Sequence, residues 1–176
     1  FEFNQPDPYD GGAYAYSAWH IYQGAAIWDN EIVSAQPATL LVNYIGVALF
    51  GFSETGPEII QILLQLGASG LLFYTARRCF GKIAAQLSTA VASIYLSSPF
   101  IAKYGNVKEQ YMIAFMVMAA CCLMLAIQTR KHWLWAAAGA VIVWPFYFKP
   151  TGLSIITAAG FFIVLITVFR YQSIYQ

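Results

Sequence analysis

The residues with chemistry to offer are few, and they fall at five places along the chain. Asp10 lies in Pro8-Tyr9-Asp10-Gly11-Gly12-Ala13-Tyr14, Asp29 and Glu31 flank Asn30 just after Trp28, and Gln36 precedes Pro37. Lys103, Lys108 and Glu109 form a later polar stretch, and Lys149-Pro150-Thr151 forms the last. A carboxylate can take the proton of an attacking hydroxyl, and a lysine ammonium meets a phosphate as a point charge. Asp10 has two readings, a general base or a helix N-cap worth about 1 kcal/mol, and one carboxylate can do both. Lys149 before Pro150 is either a phosphate-facing cation or a snorkelling lysine at a helix boundary.

What lies between these places has to dissolve in lipid. Of the 176 residues, 60% are hydrophobic and 10% are charged, against about 25% charged in a soluble domain. Mean hydropathy is +0.60, and the expected fold is an all-α, polytopic integral membrane protein. A net charge of +1 without a basic cluster excludes nucleic acid as a partner. Cys79, Cys121 and Cys122 supply neither a disulfide framework nor metal spacing and read as small buried hydrophobes. The chain opens on Phe1 without a signal-peptide pattern and ends after an apolar segment, so further helices are expected at both ends.

Five stretches are long enough to span: 57–76, which carries only Glu58, and the charge-free 83–102, 111–128, 132–148 and 150–169. Upstream, 10–23 has helical periodicity with Gly24 as its stop, but it is too short and too polar to cross. Its tyrosines and Trp19 suit the membrane interface. Residues 37–52 are short for a span and carry Thr39, Asn43 and Gly46 as a polar stripe, so they read as a second interfacial helix. The expected organisation is a loop domain, 1–56, with two interfacial helices, followed by a transmembrane bundle, 57–176.

Charge sets the orientation. Five consecutive spans place Arg77, Arg78, Lys82, Arg130, Lys131 and Arg170 on one side with no acid. By the positive-inside rule that side is cytoplasmic. With 37–52 lying flat, all eight acids share the outer side: Glu2, Asp7, Asp10, Asp29, Glu31, Glu54, Glu58 and Glu109. The outer face then gathers Asp10, Tyr14, Trp28, Asp29, Glu31, Gln36, Lys103, Lys108, Glu109 and Lys149 at the edge of an apolar body. This suits an enzyme whose substrate has a hydrocarbon tail and a phosphate. If 37–52 crosses instead, Asp10 is separated from Glu109 by a membrane and is only a cap. His20 and His132 have no partners at ligand spacing, Trp133, Trp135 and Trp144 read as belt and packing residues, and no phosphate loop, nucleophile elbow or metal motif is present.

Several stretches, in order, carry a resemblance. These are Asp10-Gly-Gly-Ala-Tyr14, Gly24-Ala-Ala-Ile-Trp28-Asp29, Gln36-Pro37-Ala-Thr-Leu-Leu and Leu49-Phe50-Gly51. Together they resemble the first extracytoplasmic loop of the GT-C glycosyltransferases, and within these the protein mannosyltransferase and aminoarabinose transferase group. Ala76-Arg77-Arg78-Cys79-Phe80-Gly81-Lys82 is similar to the family's basic cytoplasmic turn. Asn106-Val-Lys-Glu109 and Phe148-Lys149-Pro150-Thr151 resemble its acidic and Lys-Pro-Thr motifs. The resemblance implies a partial GT-C module, a polyprenyl-phosphate-linked sugar as donor, inverting transfer to an extracytoplasmic acceptor, and a multi-pass place in a membrane, a bacterial inner membrane being expected. By carry-over Asp10 and Glu109 are the catalytic acids, and Tyr14, Asp29, Gln36, Lys108 and Lys149 are the substrate-binding set. No cofactor is assigned, and a divalent metal stays open. Gly11 and Gln36 stand where the family often has Glu and Lys. That difference motivates a second reading, a catalytically inactive glycosyltransferase-like scaffold among other membrane subunits.

Overall fold

A computed structural model describes residues 10–27, 29, 35–96 and 105–174, with side chains as far as 168. The described residues are helical and contain no strand. In chain order the helices are α1 (Gly11–Tyr22), α2 (Pro37–Phe50), α3 (Thr55–Phe80), α4 (Lys82–Leu96), α5 (Lys108–Thr129), α6 (His132–Ile142), α7 (Trp144–Phe148) and α8 (Leu153–Ile174). A single 3₁₀ turn, Pro150–Gly152, precedes α8.

Three segments are long and apolar enough to cross a membrane: Thr55–Phe80, Lys108–Thr129 and Pro150–Val168. Their faces leave Leu63, Leu66, Phe161 and Val164 exposed, which lipid tolerates and water does not. The protein is an integral membrane protein. Three expected boundaries shift. The first span starts at Thr55, so Pro57 is the third helical residue rather than the first. The stretch 83–102 is helical from Lys82 to Leu96, and 97–102 lies outside the described residues. The stretch 132–148 is not one regular helix but divides at Val143, because Pro145 has no N–H to continue the ladder.

Local chemistry accounts for the helix ends. Pro37 sits at the start of α2, where its missing N–H costs nothing. Glu58 in the first turn of α3 and Arg77 and Arg78 in its last complement the helix dipole. Gly81 alone joins α3 to α4, and Arg130, left-handed at φ 56°, closes α5.

The bundle has two ends. Gln128 Nε2 donates to Arg78 O (3.2 Å), so the C-terminal ends of α5 and α3 adjoin. Gln110 Nε2 donates to Leu96 O (3.2 Å), which sets the end of α4 beside the start of α5. Arg77, Arg78, Lys82, Arg130 and Lys131 therefore share one end, and the starts of α3 and α5 share the other. At that second end α2 packs on α3 and α7, and α1 packs on α2. The core beneath it joins Ala38 and Val42 of α2, Tyr111 of α5 and Phe148 of α7. Tyr111 and Phe148 stack at 5.4 Å between centroids. The crossing of α2 over α3 is close enough to need glycine on both helices: a Cβ at Gly46 would lie 2.4 Å from Pro57 Cδ, and one at Gly56 would lie 2.4 Å from Gly46 O. With 14 residues α2 is only about 21 Å long, short of the ~30 Å hydrocarbon core.

Candidate functional site

The turn 105–107 before α5 organises the polar end. Gly105 has φ 95°, and a Cβ there would lie 2.5 Å from Glu58 Oε1, so this turn packs directly on a buried carboxylate of α3. Asn106 is also left-handed, at φ 44°, a region Asn enters more readily than most residues. The next amide, Val107 N–H, donates to Gln61 Oε1 at 3.1 Å. The turn thereby aims the first residues of α5 at α1.

Lys108 Nζ donates to Tyr14 OH at 3.1 Å. Tyr14 is nearly buried, one helical turn after Asp10, and its N–H donates to Asp10 O at 3.0 Å. The Lys108 ammonium also feels the charges of Glu109 and Asp10. Next to it, Lys149 Nζ and Glu109 Oε1 form an ion pair at 2.7 Å, with side chains 35% and 27% exposed. The other oxygen, Glu109 Oε2, is buried with no hydrogen-bond partner among the described residues. One cation thus rests on a neutral phenol, while the other is held by a carboxylate.

Asp10 occupies the N-cap position of α1, but its side chain makes no capping hydrogen bond. The reason is backbone geometry. A capping residue takes the extended region so that its side chain turns back over the helix, whereas Asp10 is already helical at φ −100° and ψ −56°. The cap reading therefore loses its bond, and the carboxylate is left half-exposed at the same end as Lys108.

Gln36 sits at the N-cap position of α2 without capping it, and its Oε1 is buried with no partner among the described residues. Its chain neighbours Ala35 and Pro37, with Ile21, Leu40 and Tyr44, line an apolar groove of about 390 Å³. Asp29 is exposed in the connection between α1 and α2, and its N–H donates to Ala26 O at 2.9 Å. Trp28, Glu31 and Lys103 lie outside the described residues. His20 lies against Tyr16 with ring centroids 4.5 Å apart. Among the described residues no three His, Cys, Asp or Glu side chains gather as a metal would require.

The structure assembles a buried polar set that the sequence did not bring together: Asn43, Glu58, Gln61, Asn106, Gln110 and Tyr111, each 3% exposed or less. Asn106 Nδ2 donates to Gly11 O (3.2 Å) and to Asn43 Oδ1 (2.8 Å). Tyr111 OH lies 2.7 Å from Pro57 O and 3.0 Å from Asn106 Oδ1, and shares its one proton between them. Gln65 Nε2 donates to Gln110 Oε1. Gln61 and Gln65, one turn apart inside a span, are the sequence signal that could have led to this set, since polar side chains in lipid need partners.

No curated protein and no solved structure matches the chain. One family does, over residues 35–175, and α1 is joined to that matched region by the Asn106–Gly11 and Lys108–Tyr14 bonds. That family is described as dolichyl-phosphate-mannose-protein mannosyltransferase, and over so much of its length the chain belongs to it, among membrane glycosyltransferases that use polyprenyl-phosphate-linked sugars.

Proposed function

We propose that the protein transfers a sugar from a polyprenyl-phosphate carrier to an extracytoplasmic hydroxyl acceptor, with Asp10 as general base. The observation that carries this reading is the Lys108 ammonium, bonded to Tyr14 OH and within the fields of Asp10 and Glu109. A cation whose partner is a neutral phenol keeps its charge for a phosphate. Lys149 is already matched by Glu109, so Lys108 is the phosphate cation and the ion pair holds the floor of the site. The apolar groove beside Gln36 gives the prenyl tail a wall.

In the reaction the acceptor oxygen attacks the anomeric carbon and the bond from that carbon to the phosphate oxygen breaks. The electron pair leaves with the polyprenyl phosphate, and the acceptor proton passes to the Asp10 carboxylate. Attack opposite the departing phosphate inverts the anomeric centre. Lys108 stabilises the charge growing on the phosphate, and no strong general acid is needed. Glu109 Oε2, which has no donor among the described residues, is the acceptor for a hydroxyl of the sugar.

The membrane placement belongs to the same reading. The end with five cations and no acid among its described side chains lies in the cytoplasm, and α1 and α2 lie along the outer surface. The short α2 and the contacts of α1 with the start of α5 support this; a loop domain, 1–56, set against five spans is part of the same proposal.

The test is Asp10→Asn in the full-length protein. Turnover falls 10²-fold or more, the range for loss of a general base, while thermal stability stays unchanged because no cap bond is lost. Wild-type turnover would end the role of Asp10. A second reading, an inactive scaffold, draws on Gln36 in place of a lysine and is favoured if the wild-type protein neither binds polyprenyl phosphate nor turns over.

A further inference from the structure

We infer that Asn106 is a positioning residue for Asp10: its carboxamide clamps the first turn of α1 onto the start of α5. The inference rests on the general-base reading of Asp10. The carboxamide is fully buried and bonds to residues of three helices, α1, α2 and α5. Its orientation is fixed by chemistry, because Gly11 O can only accept and so must face Nδ2. The second Nδ2 proton then goes to Asn43 Oδ1, and Asn43 Nδ2 donates in turn to Thr39 O at 2.9 Å. Oδ1 of Asn106 is left to accept from Tyr111 OH, which also reaches Pro57 O. The two carboxamides can each point only one way, so their bonds hold Gly11, the residue next to Asp10, in one position.

α1 also packs on α2, and the Asn106 bond adds a fixed direction at its first turn. Asp10 makes no cap bond, and the Lys108–Tyr14 bond acts one turn further along on a flexible lysine. Asn106 is itself immobilised, between Gly105 packed against Glu58 and Val107 bonded to Gln61. A base must sit within hydrogen-bond reach of the proton it takes, and displacement by about 1 Å costs as much as 10²-fold in rate. Asn106 therefore acts on the chemical step through Asp10 without touching substrate.

The test is Asn106→Gly, which suits the left-handed backbone and removes the carboxamide, studied in full-length protein with a polyprenyl-phosphate-linked sugar. We expect kcat to fall at least about 10-fold at unchanged donor KM, and hydrogen exchange at the Tyr14 and Ala15 amides to rise while that within α5 does not. In an Asp10→Asn background the same substitution should lower kcat no further. Equal losses in both backgrounds would make Asn106 a general scaffold residue and overturn the inference, as would unchanged exchange in α1. If Asp10→Asn alone keeps wild-type turnover, the base reading fails, while raised exchange in α1 still supports the clamp. Should Asn106→Gly fail to fold, Asn106→Asp keeps the backbone and the acceptor for Tyr111, loses both donors, and should give the same pattern.

Discussion

Replacing Gly46 by alanine tests how the outer helices are held. Its new Cβ would lie 2.4 Å from Pro57 Cδ, 2.5 Å from Pro57 N and 2.8 Å from Pro57 Cγ, where ordinary contact begins at 3.4 Å. The obstacle is a ring and a backbone nitrogen, and neither can swing aside, so α2 must move off α3 by about 1 Å. Overpacking of this kind costs about 1–3 kcal/mol. The same shift stretches the 2.8 Å Asn43–Asn106 bond to about 3.8 Å, beyond hydrogen bonding, for about 0.5–1.5 kcal/mol more. Gly→Ala inside a helix returns about 1 kcal/mol. The net loss is about 0.5–3.5 kcal/mol, which for a chain of this size lowers the unfolding midpoint by roughly 1–14 °C. Thermal unfolding in lipid nanodiscs measures it. Gly67→Ala and Gly70→Ala are the controls, because a Cβ at either position meets nothing within 4 Å and both should leave stability equal or raised. A Gly46→Ala protein as stable as these controls would refute the argument that the two helices touch backbone to backbone.

Two further substitutions separate holding from chemistry. Tyr111→Phe removes the hydroxyl shared by Pro57 O and Asn106 Oδ1, leaves two buried acceptors short of a donor, and should cost about 1–3 kcal/mol by thermal unfolding. Lys108→Met should raise the donor KM at least about 10-fold by steady-state kinetics, since a phosphate loses its cation. Tyr14→Phe, which keeps that charge, should change the same KM several-fold less.

The spans were legible in the sequence because lipid makes one demand, an uninterrupted apolar run, and the runs from Thr55 and Lys108 meet it. Helices α1 and α2 were legible, the first from periodicity and Gly24 as its stop, the second from a short apolar run with Thr39, Asn43 and Gly46 as a polar stripe. Pro145 was also visible, but composition alone ran 132–148 into one segment and missed the break at Val143. The site was read in part. Charge alternation brought Asp10, Tyr14, Lys108, Glu109 and Lys149 to one end, and side-chain contacts join Tyr14 to Lys108 and Glu109 to Lys149. What stayed hidden was the buried set around Asn106. Its partners lie 63 and 95 positions away along the chain, and no local pattern encodes a pairing of that range. Asp10 takes the N-cap position that its residue type favours, but the capping bond is missing for a related reason: the backbone angles decide it.

The distance along the chain between Gly11 and Asn106 also sets an order of events during synthesis. A ribosome adding about 5–20 residues per second delivers Asn106 and Lys108 roughly 5–20 s after Asp10. Through that interval the first helix can pack on α2, but its first turn lacks the carboxamide that will clasp it to the start of α5. A nascent chain interrupted before α5 lacks that clasp. The junction between the first helix and the bundle is therefore completed late in biogenesis, by the arrival of one asparagine.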